Sequence, residues 1–194
     1  MKPVTVLFVA VALLVAFPQT GVSAPSDPPA AKGNSTEPEP ADRLLKAASD
    51  RAKAGKKNVL VVFHASWCSW CKRLDEKLLN DPITGKLLKD HFEVVHLDVL
   101  ESPERKAREN AGGNDLLTKL GGADSGLPFY AVLDPAGRKV SDSNRMPQNG
   151  NIGYPATPEE IAAFVDLLKR TAPRLTTAER QRISDHLRRN APKS

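Results

Sequence analysis

The chain has two cysteines, Cys68 and Cys71, separated by Ser69 and Trp70. At this spacing one thiolate can attack a disulfide, and the second thiol can then resolve the mixed disulfide. A structural disulfide is a competing interpretation, but a bridge here closes so short a loop that it constrains the unfolded chain only weakly. Two thiolates also suit Cu(I) or zinc, yet no Cys-rich or His-rich cluster completes a metal site. The residues therefore favour thiol–disulfide exchange.

The two cysteines lie at a predicted turn between a strand and a helix. Residues 59–63 are apolar and mostly β-branched, which predicts a buried strand. The residues after Cys71 are mostly helix formers, up to Asn80 and Asp81, where Pro82 ends the pattern. Cys68 is then expected near a helix N-terminus, where unpaired amides and the helix dipole favour the thiolate.

The rest of the pattern predicts an α/β fold. Further helices are predicted over residues 41–54, 83–90, 115–120, 158–171 and 177–189, and further strands over 91–99, 129–133 and 138–140. The first two strands are joined through helices and should be parallel, whereas the Asp-Pro-Ala-Gly turn at 134–137 makes the last two an antiparallel hairpin. Residues 141–157 are polar and predicted to form a long loop without an obvious core. These elements together predict a central mixed sheet flanked by helices.

The N-terminal residues have the pattern of a secretory signal peptide. Lys2 precedes an apolar run at 4–17, and Val22-Ser-Ala fits a cleavage site after Ala24. The apolar run is short for a membrane span, and an uncleaved anchor is the alternative. Residues 1–24 are therefore interpreted as a signal peptide, and the mature protein is expected to be exported, either periplasmic or secreted.

Composition divides the remaining chain into three parts. Residues 25–41 are rich in Pro, Ser and Ala and are predicted to be a disordered linker. Residues 42–172 are long enough for one domain of ordinary size, and residues 173–194 form a basic helical tail. Nothing in the sequence indicates a coiled coil or a second core, so a monomer is expected.

The charge is concentrated in the tail. The chain carries a net charge of +5, and residues 174–194 hold six cationic side chains against two acidic ones. Nucleic-acid binding is poorly supported in an exported protein with 5% aromatic residues. The tail is interpreted as a solvated helix face, with membrane contact through anionic lipid or an acidic partner as the alternative.

Over about residues 42–171 the chain resembles thioredoxin-fold proteins, in particular secreted bacterial thioredoxin-like proteins. The resemblance rests on the W-C-S-W-C-K motif at 67–72 after a strand, on Leu127 and Pro128 before a later strand, and on the hairpin and helix that follow. It implies a thioredoxin-like fold with an additional N-terminal helix and a C-terminal helical tail. It also implies thiol–disulfide oxidoreductase activity on protein thiols and disulfides, with an unidentified redox partner.

Two alternative functions are open. A non-catalytic thioredoxin-like binding or chaperone module is the first alternative, and a thiolate metal-handling module is the second. No cofactor is expected, because the sequence contains no Gly-rich phosphate loop or haem-attachment motif. The direction of electron flow stays open, because the dipeptide Ser69-Trp70 differs from the Gly-Pro of common thioredoxins and this dipeptide helps set the potential in the family.

The resemblance implies roles for single residues. Cys68 would be the exposed attacking thiolate, and Cys71 the more buried resolving thiol. Pro128 would follow a cis peptide bond, a minority outcome for an X-Pro bond on statistics alone. The backbone of Leu127 would offer hydrogen bonds to an extended substrate segment.

Three further side chains are candidates for the site. Trp67 and Trp70 either form an apolar rim for protein substrates or pack against the active-site loop. Thioredoxins that act as reductants carry a buried Asp before the motif and a Lys in the next strand, where this chain has Val62 and His96. Because imidazole titrates near neutral pH, His96 could supply part of a proton relay; a packed strand histidine is the alternative.

Overall fold

The structure, a computed structural model, describes residues 37–192. The predicted signal peptide and most of the predicted linker lie outside these residues. Residues 38–40 have no regular secondary structure and lead directly into the first helix. No helix within residues 37–192 is long and apolar enough to cross a membrane.

A four-stranded mixed sheet forms the centre of the domain. Its strands are β1 (Asn58–His64), β2 (Phe92–Asp98), β3 (Phe129–Leu133) and β4 (Lys139–Asp142), in the order β2-β1-β3-β4. β1 pairs parallel to β2 and antiparallel to β3, and β3 pairs antiparallel to β4. The predicted mixed sheet, with its parallel pair and its hairpin, is confirmed.

Helices cover both faces of this sheet. They are α1 (Ala41–Gly55), α2 (Ser69–Leu74), α3 (Thr84–His91), α4 (Gly113–Lys119), α5 (Pro158–Thr171) and α6 (Thr177–Arg189). A π-helical turn, Asp75–Leu79, continues α2, and a 3₁₀ helix, Pro103–Arg108, follows β2. Both α5 and α6 begin with a capping box, in which a Thr and the Glu three residues later cap each other's backbone amides.

β1 is buried on both faces. Leu60 and Val62 face a core cluster that includes Phe164 of α5, whereas Val61 faces a second cluster that includes Ala48 of α1. Because side chains alternate along a strand, a strand buried on both faces has a continuous apolar sequence. The apolar run at 59–63 therefore reflects the central position of β1 in the sheet.

The prediction of a coreless loop over 141–157 is wrong. This segment contains β5 (Asn144–Met146) and β6 (Gly150–Asn151), which pair antiparallel as a small second sheet. Ile152 and Tyr154 follow them and are 2% and 3% exposed in the cluster that contains α5. Strands of three and two residues are too short to show an alternating pattern, so the sequence gives no sign of them.

The basic C-terminal helix packs on the domain. Ile183 and Leu187 of α6 have no exposed surface and belong to the same cluster as Leu60 of β1. The opposite side carries cations such as Arg188, whose side chain is 60% exposed. The helix thus has one face that completes the core and one that is solvated.

Replacing Leu187 tests this packing. Leu187→Ala should lower the free energy of unfolding by about 2–5 kcal/mol, because it removes buried methyl groups and leaves a cavity. Urea unfolding of the full chain measures the change. The neighbouring Arg188→Ala is the control and should change stability by no more than about 0.5 kcal/mol. Equal stability of the two variants would show that α6 is not part of the core.

Candidate active site

The two cysteines form a disulfide at the junction of β1 and α2. Their Cα atoms are 5.3 Å apart. The amide of Cys68 donates to the carbonyl of Ala65 at 3.0 Å, which closes a tight turn directly after the strand. Cys68 is the N-cap of α2, and its Sγ accepts a hydrogen bond from the amide of Cys71 at 3.0 Å. The strand, turn and helix thus place Sγ of Cys68 at the amide end of a helix.

Both cysteines are buried in this oxidised form. Cys68 is 4% exposed and Cys71 is 2% exposed. Ala65 is buried in the same cluster, and Leu127 packs against it. The expectation of an exposed Cys68 is therefore wrong for the disulfide form, because these neighbours cover its side chain.

Pro128 follows a cis peptide bond, as the resemblance implies. Its carbonyl accepts a hydrogen bond from the side-chain amide of Asn151 at 3.0 Å, and the same amide donates to the carbonyl of Gly126. Among the described residues, the backbone amide and carbonyl of Leu127 make no hydrogen bond. The segment before β3 is therefore held in place from β6, with the polar backbone groups of Leu127 left unpaired beside the disulfide cluster.

Two exposed tryptophans flank Cys68 in the chain, and both are held in defined positions. Trp67 is 55% exposed, and its Nε1 donates to the carbonyl of Leu100 at 2.8 Å. Trp70 is 46% exposed, and its ring stacks on Tyr154 with centroids 6.2 Å apart and an interplanar angle of 20°. These contacts leave aromatic surface facing solvent without leaving the rings free to rotate.

A groove of about 480 Å³ runs beside Trp70. Pro128 and Leu127 line one part of it, and Ile152 and Tyr154 line another. Sequence reasoning missed Tyr154 and Ile152, because they lie in the segment interpreted as a featureless loop. The signal that could have found them is an apolar and an aromatic residue within an otherwise polar stretch.

Tyr154 also connects the site to the C-terminal helix. The guanidinium carbon of Arg73 lies 5.1 Å from the centroid of the Tyr154 ring, within the range of a cation–π contact. Arg73 donates a hydrogen bond to the carbonyl of Asn190, which caps α6. The hydroxyl of Tyr154 lies 3.4 Å from the same carbonyl. The end of α6 therefore supports the helix that carries the cysteines.

His96 lies in a cluster of four titratable side chains. Its Nε2 is 2.8 Å from Oδ1 of Asp75, which is four residues after Cys71 and so one helical turn away from it. His64 Nε2 is 3.5 Å from Oδ1 of Asp98, and the two imidazole rings meet edge to face at 5.2 Å. The sequence pointed to His96 but not to the carboxylates, whose roles depend on strand register and on the helix that crosses the sheet.

The match to a family model agrees with this arrangement. Residues 42–135 match the thioredoxin-like family. These residues are thioredoxin-like. No curated protein sequence matches it. Among solved structures, it is similar to a disulphide isomerase from Xylella fastidiosa Temecula1, with 22% identity over 87% of this chain and 98% of that one and a TM-score of 0.47.

Two other solved structures are similar over parts of the chain. The DsbH oxidoreductase has 19% identity over 79% of this chain and 95% of its own, with a TM-score of 0.44. The thioredoxin from Thermus thermophilus has 27% identity over 54% of this chain and 71% of its own, with a TM-score of 0.38. The family match and the sheet topology confirm the thioredoxin-like fold expected from the sequence, with α1 before β1 and α6 after α5.

Two histidines of this thioredoxin-like domain, His64 and His91, have a lowered pKa. Burial lowers the pKa of His64, and the charge of His96 lowers it further. The carboxylate of Asp98 acts in the opposite direction but offsets only part of this decrease. Burial likewise lowers the pKa of His91. Within residues 37–192, no three His, Cys, Asp or Glu side chains are arranged to hold a metal ion.

The lowered pKa of His64 should make stability depend on pH. Below its ordinary pKa of 6.5, the unfolded chain takes up a proton that the folded domain takes up only at lower pH. The free energy of unfolding should therefore fall between about pH 7.5 and about pH 5.5. In His64→Gln the fall should be smaller, with His91 accounting for part of the remainder. Urea unfolding at both pH values measures it, and an identical fall in His64→Gln would contradict this prediction.

Proposed function

We propose that the protein is an exported thiol–disulfide oxidoreductase that exchanges disulfides with protein substrates through Cys68 and Cys71. The observation that carries the proposal is the Cys68–Cys71 disulfide at the strand-to-helix junction of a thioredoxin-like domain. A disulfide that closes so short a loop adds little to stability. Its position at a helix N-terminus suits a pair that opens and closes in a reaction.

Reduction of a substrate proceeds in two balanced steps. The thiolate of Cys68 attacks one sulfur of the substrate disulfide, which forms a mixed disulfide and releases the first substrate thiolate. The thiolate of Cys71 then attacks Sγ of Cys68, which restores the intrachain disulfide and releases the second substrate thiolate. Two electrons pass from the protein to the substrate, and the protons lost by the cysteines are taken up by the substrate sulfurs or by solvent. Oxidation of a substrate dithiol follows the same steps in reverse.

The surroundings of Cys68 suit it to the attacking role. Its Sγ accepts the amide of Cys71, and a thiolate accepts such a hydrogen bond more strongly than a thiol does. Two cations, Lys72 and Arg73, follow in the same helix. These groups favour negative charge at this end of α2.

A substrate segment would bind beside the disulfide. The unpaired amide and carbonyl of Leu127, next to Pro128, can hydrogen-bond an extended chain. The exposed faces of Trp67 and Trp70 supply apolar surface for side chains near the substrate cysteine. Rigid aromatic side chains bind with little loss of conformational entropy, and both rings are already held by Leu100 and Tyr154.

His96 is proposed to take part in proton transfer at Cys71. This thiol must lose its proton before it attacks the mixed disulfide. Asp75, one helical turn from Cys71, accepts a hydrogen bond from a ring nitrogen of His96 when that nitrogen is protonated. The His96 side chain is 33% exposed, so its imidazole can pass a proton between Asp75 and solvent.

Features of the sequence support the proposed location and partners. The signal-peptide pattern at residues 1–24 supports export to the periplasm or the exterior. There the protein would act as a monomer on protein thiols or disulfides and would be recharged by a separate redox partner. The solvated cations of α6 are suited to contact with an anionic membrane surface.

Replacing each cysteine by serine tests the exchange reaction. Cys68→Ser should abolish reduction of a disulfide-bonded peptide, since the attacking sulfur is gone. Cys71→Ser should form the mixed disulfide and stop there, which mass spectrometry detects as a covalent adduct. Full exchange activity in Cys68→Ser, or no adduct with Cys71→Ser, would contradict the assignment. Full biological activity of the double serine variant would favour a non-catalytic binding module.

His96→Gln tests the proton relay. Resolution of the mixed disulfide by Cys71 should slow by at least about tenfold at neutral pH, within the usual range of general base catalysis. Because hydroxide can replace the lost base, the rate should recover as pH rises. His91→Gln is the control, since His91 ends α3 away from this cluster. An unchanged rate and pH profile in His96→Gln would assign His96 to packing alone.

A further inference from the structure

The chain turns sharply after β2, at Leu100. Its φ is +52°, in the left-handed region that branched side chains rarely adopt. At this turn the carbonyl of Leu100 accepts the indole N–H of Trp67, and the carboxylate of the next residue, Glu101, accepts two hydrogen bonds from Ser66. Leu100 and Glu101 thus contact the two residues directly before Cys68.

Glu101 is a buried carboxylate, with 7% of its surface exposed. Its Oε1 accepts the amide of Ser66 at 2.5 Å, and its Oε2 accepts the hydroxyl of Ser66 at 2.8 Å. Burial raises the pKa of Glu101, but the hydrogen bonds from Ser66 and the charges of Arg105 and Arg108 together bring it below its usual value. The carboxylate is therefore ionised at neutral pH.

The groups around Glu101 keep it in place. Its backbone amide donates to Oε1 of Glu109 at 2.8 Å, and Lys106 forms an ion pair with Glu109 at 2.9 Å. Arg105 donates to the hydroxyl of Ser66 at 2.9 Å from the exposed side. The 3₁₀ helix after β2 thus supplies exposed cations, while the buried charge nearest Ser66 is negative.

Ser66 and Trp67 are the central residues of the turn that the Cys68 amide closes onto Ala65. Ser66 is hydrogen-bonded to Glu101 and lies two residues before Cys68. Because two residues span so short a length of chain, the carboxylate of Glu101 lies within about 10 Å of Cys68. We infer that Glu101 is a positioning residue for the thiol–disulfide reaction, which holds the turn before Cys68 and whose negative charge opposes the Cys68 thiolate. This inference rests on the proposed function.

The charge has a definite consequence for the redox equilibrium. In glutathione buffer, the protein disulfide and two glutathione thiols interconvert with the protein dithiol and one glutathione disulfide. A negative charge near Cys68 disfavours the thiolate and so disfavours the dithiol form. Glu101 therefore makes the reduced protein a stronger reductant than it would be without this carboxylate.

Glu101→Gln removes the charge and keeps an oxygen that can accept the Ser66 amide. The equilibrium constant with glutathione should shift toward the dithiol by roughly threefold to tenfold, the effect of a unit charge at this distance in a protein-like dielectric. The acid dissociation constant of the Cys68 thiol, measured from the pH dependence of its alkylation rate, should rise by the same factor, and the shift with glutathione reaches its full size at a pH where most of Cys68 is thiolate. A role confined to packing would lower stability and leave both quantities unchanged.

Two further variants keep the test decisive. Glu104→Gln is the matched control, since it removes the same charge from an exposed side chain of the same 3₁₀ helix, and it should shift neither quantity by more than about twofold. Arg105→Gln removes a cation beside Ser66 and should shift the equilibrium the opposite way, toward the disulfide. Shifts in Glu101→Gln no larger than in Glu104→Gln would overturn the inference.

Failure of the inference is distinct from failure of the proposed function. If the native protein has a reversible couple that Glu101→Gln leaves unchanged, the role of Glu101 is wrong and the oxidoreductase proposal stands. If the native protein has no reversible couple with glutathione, the proposed function itself is wrong.

Discussion

Burial of β1 on both faces is the constraint on which the rest of the structure depends. Residues 59–63 have helices and apolar side chains on either side. A shift in register by one residue would move each side chain into the core cluster on the opposite face and draw a polar end residue, Asn58 or His64, into the core. The turn after His64 therefore begins at a fixed point. It places Cys68 at the start of α2, and Leu74 and Leu78 anchor that helix in the core beneath. The position of the disulfide follows from the packing of a strand that does no chemistry.

Several separate segments meet around this fixed point. The segment before β3 brings Leu127 beside the disulfide, and Asn151 of the small second sheet holds that segment through the carbonyl of Pro128. The turn after β2 holds Trp67, and Tyr154 holds Trp70. Apart from the packing of Leu127, these contacts do not involve the sulfur atoms. Together they give the buried disulfide a rim of exposed aromatic surface whose geometry is set from the core.

The electrostatics of the site divide between its two sulfurs. The amide end of α2, with the cations after Cys71, favours negative charge at Cys68, while the buried carboxylate of Glu101 opposes it. Cys71 is one helical turn from Asp75, which is paired with His96. In the proposed reaction, the balance of these groups would help to set which redox direction is favoured.

Much of the fold could be predicted from the sequence. The long apolar strand and the turn at 134–137 are local signals, and the elements they predict are present. The cysteine pair could be predicted from its spacing, and the cis peptide bond before Pro128 from the motif that carries the resemblance.

The rest depends on contacts between distant residues. Tyr154 contacts Trp70 because of the path of the chain after β6, and Asp75 contacts His96 because of strand register. Neither contact produces a periodic pattern in the sequence. The burial of Cys68 depends on Leu127, 59 residues later in the chain. The π-helical turn at Asp75–Leu79 lies in an ordinary helical sequence, and nothing in the described structure explains why the helix widens there.

The most direct test of the central claim is the equilibrium of the Cys68–Cys71 pair in glutathione buffers. The full chain would be incubated across a range of ratios of reduced to oxidised glutathione, and its thiols would be trapped and counted by mass. The account predicts one reversible two-electron transition between disulfide and dithiol, reached from either starting form. A pair that stays oxidised or reduced at every ratio, or that reaches different end states from the two directions, would contradict a role in thiol–disulfide exchange.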